Sequence, residues 1–125
     1  MKPRPIQDPS FRTEFAAEKM HRWKQEIREP VVEAVAKHAV VVVGMAWNPH
    51  VPRAQKALRE AGIDFHYMGM GNYLNRYRDR LAIKLWSGWP TFPQVWVRGV
   101  FIGGADQVVM GLKDGSLQAR VKAPV

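Results

Sequence analysis

Residues 89–106 read WPTFPQVWVRGVFIGGAD and carry the clearest structural pattern in the chain. Two prolines predict an opening loop, and the apolar runs Gln94–Val97 and Val100–Ile102 predict two short strands. Between them, Arg98–Gly99 predicts a hairpin turn, because glycine adopts the left-handed backbone conformation that tight turns need. The pair Gly103–Gly104 marks the start of a final helix. This stretch therefore predicts a β-hairpin followed by a helix.

The chain before this hairpin has the alternating pattern of an α/β domain. The run Ala39–Met45 is continuous and rich in valine, as a strand buried on both faces requires. Asn48 followed by proline predicts a helix start, and Gly62 predicts its end. A strand at Ile63–Met68 and a basic helix at Leu74–Leu85 follow. The order predicts an α/β fold of thioredoxin-like type, a central mixed four-stranded sheet flanked by helices.

The N-terminal part adds to this arrangement. The first ten residues are rich in proline and predict an unpacked tail. Apolar residues at spacings of three to five predict an amphipathic helix over Phe11–Ile27. Pro30 is predicted to interrupt it, with a second short helix at Val31–Lys37. We therefore expect a tail and extra N-terminal helix in residues 1–30 and an α/β domain in residues 31–125.

Composition excludes several classes of protein. The 125 residues fit a single domain, and no apolar run approaches the roughly 20 residues that cross a bilayer. The N-terminus lacks the apolar core of a signal peptide, so we expect a cytoplasmic protein with no membrane partner. The net charge of +8 attracts anions, from small ligands to polyanions, without distinguishing between them. With no cysteine, the chain cannot form disulfides, thiolate nucleophiles or thiolate-held metal sites.

Residues 89–106 closely resemble the monothiol glutaredoxins, whose pattern here is W-P-T-F-P-Q, then a hairpin, then G-G-C-D. The similarity extends more weakly over Val31–Val121. It implies the glutaredoxin fold, glutathione as a ligand and a part in cell redox homeostasis. In place of the family's reactive cysteine motif stands the degenerate tetrapeptide Asn48, Pro49, His50 and Val51, and Ala105 replaces the cysteine of G-G-C-D. Asn48 cannot expel a thiolate or ligate an iron–sulfur cluster, so we expect no catalytic residue and no cluster.

The resemblance implies that the glutathione groove survives the loss of sulfur. It implies a cis proline at Pro93, strand-like pairing of the Phe92 backbone with the cysteinyl residue of glutathione, and a carboxylate contact at Arg80. The turn of Gly104, Ala105 and Asp106 would hold the γ-glutamyl end, because helix-start N–H groups bind carboxylates and an aspartate complements an ammonium group. The family's lysine before the active cysteine has no counterpart, since Met45 lies near that place, and residues 69–75 include about three extra positions.

Structural interpretations remain open for these residues. Asp106 also suits a helix N-terminus, and Arg80 belongs to a set of basic residues typical of a solvated helix face, namely Arg76, Arg78, Arg80 and Lys84. His50 has no second ligand at helical spacing, so no metal site is expected.

Three functional hypotheses follow. The first is a non-redox binding or regulatory module that retains glutathione recognition. The second is a thiol-independent enzyme in which Asn48 or His50 polarises a glutathione-bound substrate. The third is a basic domain that binds nucleic acid or an acidic protein, of which nucleic acid is the less expected; the N-terminal helix is a further candidate for a protein partner.

Overall fold

The computed structural model describes residues 13–72 and 74–123, so the predicted tail over residues 1–10 lies outside it. The elements in chain order are α1 (Glu14–Lys37), β1 (Val40–Gly44), α2 (His50–Glu60), β2 (His66–Gly69), α3 (Tyr77–Ser87), β3 (Gln94–Val97), β4 (Val100–Gly103), α4 (Ala105–Asp114) and α5 (Ser116–Lys122). None of the helices in these residues is long and apolar enough to cross a membrane.

The four strands form one mixed sheet in the order β2-β1-β3-β4. Strand β1 is parallel to β2 and antiparallel to β3, and β3 and β4 form the antiparallel hairpin. The predicted α/β fold with a mixed four-stranded sheet is therefore confirmed. The hairpin lies where the pattern at 89–106 places it, whereas β2 begins at His66, three residues later than predicted.

The valine run of β1 supplies both hydrophobic cores, one on each face of the sheet. Val41 and Val43 face the core beneath α1 and α3, and Val40 and Val42 face the core beneath α2 and α4. All four side chains are almost completely buried. Side chains alternate between the two faces of a strand, and this explains why the run contains no polar position.

The predicted helix break at Pro30 is wrong, because α1 is a single helix of 24 residues that continues through this proline. Proline leaves one helical carbonyl without its N–H partner, at a cost of about 3 kcal/mol. Pro30 is exposed, whereas the next residue, Val31, is fully buried and Ala34 packs in the same core. Burial of this continuing face outweighs the lost hydrogen bond. The division of the chain at residue 30 stays a prediction.

Candidate functional site

Asn48 joins the start of α2 to the loop before β3. Its side-chain Oδ1 accepts the backbone N–H of His50 at 2.8 Å, and its Nδ2 donates to the backbone carbonyl of Phe92 at 3.2 Å. Helix α2 begins at His50, with Pro49 in the capping position, one residue later than the sequence predicts. Asn48 nevertheless satisfies a helix-start N–H, which is the structural role predicted for it.

A cavity of about 190 Å³ opens beside Asn48, between the start of α2, the loop before β3 and the start of α4. We call it the groove. It brings together most of the residues predicted to hold glutathione, and His50 of the degenerate motif also lines it. The predicted residues that line the groove are Phe92, Pro93, Gly104, Ala105 and Asp106. The Phe92–Pro93 peptide bond is cis, as the resemblance implies.

Close backbone approach shapes the wall of the groove at Gly104. A Cβ atom added there would lie 3.3 Å from the Pro93 carbonyl oxygen and 3.5 Å from the indole Nε1 of Trp89. Helix α4 therefore begins directly against the proline loop, and the N–H groups of its first turn have no partner within the helix. A partial positive charge at this end favours anions.

Buried polar side chains hold the loop in shape. Gln94 is fully buried and donates through Nε2 to the carbonyl oxygens of Trp89 (2.9 Å) and Thr91 (3.3 Å). Gln107 accepts the backbone N–H of Gly104 through Oε1 at 2.9 Å. The Nε1 donor of Trp89, a residue that lines the groove, is buried and has no hydrogen-bond partner within the described part of the chain.

Arg80 does not line the groove. Only 5% of it is exposed, and its Nη1 donates to the backbone carbonyls of Met70 (3.0 Å), Asn72 (2.6 Å) and Asn75 (2.5 Å). These carbonyls belong to the segment in which the sequence contains extra residues. Arg80 therefore binds its own chain, which matches neither the carboxylate contact implied by the resemblance nor a place on a solvated face.

Sequence reasoning missed Arg53. This residue lies on α2, lines the groove and donates from Nη2 to Oδ1 of Asp106 at 2.5 Å. Both side chains are well exposed. The helical spacing of His50 and Arg53 places them on the same side of α2, but nothing in the sequence links either residue to Asp106.

Among the side chains that the structure describes, no three from His, Asp or Glu lie close enough together to hold a metal ion.

The sequence pattern of the glutaredoxins matches residues 40–102. A glutaredoxin-like protein from Dictyostelium discoideum is 40% identical over 106 residues, which cover 85% of this chain and 86% of that protein. The chain belongs to the glutaredoxin family. A monothiol glutaredoxin (S15) from Arabidopsis thaliana is 31% identical over 98 residues, or 74% of this chain and 56% of that protein. The predicted kinship with the monothiol glutaredoxins is thereby confirmed.

Solved structures give the same fold. A buckwheat glutaredoxin in complex with glutathione has a TM-score of 0.66 at 24% identity, covering 88% of this chain and 94% of that one. This glutaredoxin keeps the fold of its relatives, although its sequence contains no cysteine.

Proposed function

We propose that this glutaredoxin is a binding or regulatory module without thiol chemistry, and that its groove binds glutathione or a related small anionic peptide. The proposal rests on the convergence of α2, the cis-proline loop and the start of α4 around one cavity, beside Asn48, where the resemblance to the glutaredoxins implies a cysteine. A cytoplasmic location stays a prediction.

The side chains at the degenerate motif do not supply redox chemistry. Thiol–disulfide exchange requires a thiolate that attacks a disulfide sulfur, and the chain has no cysteine. Both polar atoms of the Asn48 amide are engaged by backbone groups. A cluster-binding glutaredoxin needs a thiolate ligand from the chain, so the donor set here does not fit an iron–sulfur cluster.

The polar groups of the groove suit a peptide with carboxylates. Phe92 lines the groove, where the resemblance implies strand-like pairing of its backbone with the ligand, and the first turn of α4 offers N–H groups to a carboxylate. Arg53 adds a charged donor to the same cavity. The buckwheat relative was solved as a glutathione complex, and the shared fold supports the same ligand class here.

Two measurements on the purified protein test the proposal. We expect no reduction of hydroxyethyl disulfide at the expense of glutathione. We also expect titration with glutathione to millimolar concentration, the scale of about −4 kcal/mol, to shift the backbone amide resonances of Phe92, Ala105 and Asp106. Robust disulfide reductase activity would contradict the non-redox part, and unchanged resonances at all three residues would contradict ligand binding.

His50 supports a second candidate function, that of a thiol-independent enzyme, because this histidine lines the groove beside Asn48. Turnover of a glutathione conjugate that is lost in His50→Gln, at unchanged glutathione affinity, would favour the enzyme over the binding module.

A further inference from the structure

We infer that Arg53 determines ligand specificity, so that the groove selects anionic peptides with no free ammonium group near Asp106. This inference rests on the proposed function and names the ligand class more narrowly than glutathione itself. It follows from the ion pair that Arg53 and Asp106 form at the groove.

The carboxylate of Asp106 is already paired. Oδ1 of Asp106 accepts from Nη2 of Arg53 at 2.5 Å, which joins α2 to the first turn of α4. Asp106 is the only carboxylate among the described residues that line the groove. An ammonium group that binds the same carboxylate comes close to the guanidinium, and two like charges near each other repel.

The other polar groups of the groove also favour anions over ammonium. The carbonyl oxygen of Phe92 accepts the Asn48 amide, and Oε1 of Gln107 accepts the N–H of Gly104. The buried Nε1 of Trp89 has no hydrogen-bond partner among the described residues, and it lies against Gly104 at the start of α4. Two acceptors beside the groove are therefore already engaged by donors of the chain itself.

The γ-glutamyl end of glutathione carries both a carboxylate and an ammonium group. The carboxylate suits the start of α4 and Arg53, whereas the ammonium meets a positive charge in place of a free Asp106. A peptide that is acylated at its amine, or lacks the amine, keeps the favourable contact and avoids the repulsive one. The ligand class inferred for this groove is accordingly an amine-blocked acidic peptide.

The test compares glutathione with deaminoglutathione, in which hydrogen replaces the α-amino group. Dissociation constants for both are measured by calorimetry on the wild type, on Arg53→Gln and on Lys56→Gln. Lys56 is a matched control, because it lies on the same helix, is exposed and is absent from the groove lining.

We expect the wild type to bind deaminoglutathione about two- to five-fold more tightly than glutathione, the range for exposed charge pairs. Arg53→Gln frees Asp106, so glutathione should become the tighter ligand, while Lys56→Gln should keep the wild-type ratio. Preference of the wild type for glutathione, with the same ratio in Arg53→Gln, would overturn the inference and leave glutathione binding intact. Failure of both ligands to bind the wild type would instead overturn the proposed function, and the inference with it.

Discussion

The contacts that the family resemblance implies agree with the structure at the groove but not in the segment before α3. At the groove, the residues that resemble glutathione contacts converge on one cavity, and most of them would act through the backbone. Arg80, for which the resemblance implies a carboxylate contact, is instead buried against three carbonyls of the segment before α3. Backbone contacts follow from the fold, whereas a side-chain contact depends on the neighbouring loop. The resemblance therefore predicts backbone contacts of the groove better than it predicts the side-chain contacts of Arg80.

The largest effect we expect is a gain of chemistry in Asn48→Cys. The new thiolate lies at the start of α2, where helix N–H groups stabilise negative charge. It would attack one sulfur of glutathione disulfide, forming a mixed disulfide at Cys and releasing one glutathione thiolate. Intact mass measured over time should show addition of one glutathionyl group.

The matched control for that experiment is Met110→Cys, at an exposed position of α4 that does not line the groove. We expect the thiol at position 48 to react about ten-fold faster than the one at 110. Equal rates would show that the groove does not guide glutathione to position 48. The implied contacts would then fail at the groove as they do at Arg80.

A smaller effect is expected from Arg80→Met. Loss of the guanidinium leaves buried carbonyls of the 70–75 segment without donors, and this should lower the free energy of unfolding by about 3 kcal/mol. Urea denaturation provides the measurement. Arg78→Met, an exposed change on the same helix, should cost less than about 0.5 kcal/mol. If both variants unfold at the same urea concentration, the hydrogen bonds of Arg80 do not stabilise the fold, and a role in ligand binding would again be open to this residue.

The smallest effect concerns the two hydrogen bonds of Asn48. Asn48→Ala removes both and should lower the free energy of unfolding by about 1 kcal/mol. Asn48→Asp keeps the acceptor for the His50 N–H and adds a negative charge that suits a helix start, but it loses the donor to Phe92, so thermal denaturation should place it between the alanine variant and the wild type. An aspartate variant as unstable as the alanine variant would show that the link to Phe92, and not the helix cap, supplies the stability.

Local sequence patterns predicted the sheet well, because the spacing of apolar residues along a strand indicates directly which of its faces are buried. The valine run of β1 has no polar position, and a strand covered on both faces is its simplest explanation. The hairpin followed from the Arg98–Gly99 turn, and the structure has both residues at positive φ. Periodicity and turn chemistry act over a few residues, so they are visible in the sequence.

The errors have the opposite origin. Continuation of α1 through Pro30 depends on burial of Val31 against the distant β1 core. The pair between Arg53 and Asp106 joins residues far apart in the chain, and the partners of Arg80 depend on the path of a loop with extra residues. Each is a tertiary contact, which local propensity does not encode.

The amide of Asn48 gives the groove a property that a cysteine would not. A carboxamide neither loses a proton nor changes its covalent state in the range where thiols are oxidised, so its contacts with Phe92 and His50 persist under oxidants. The fraction of such a groove that holds a ligand would depend on the concentration of the ligand and not on the redox potential of the surroundings. A groove without sulfur would thus respond to the concentration of its ligand and not to oxidation.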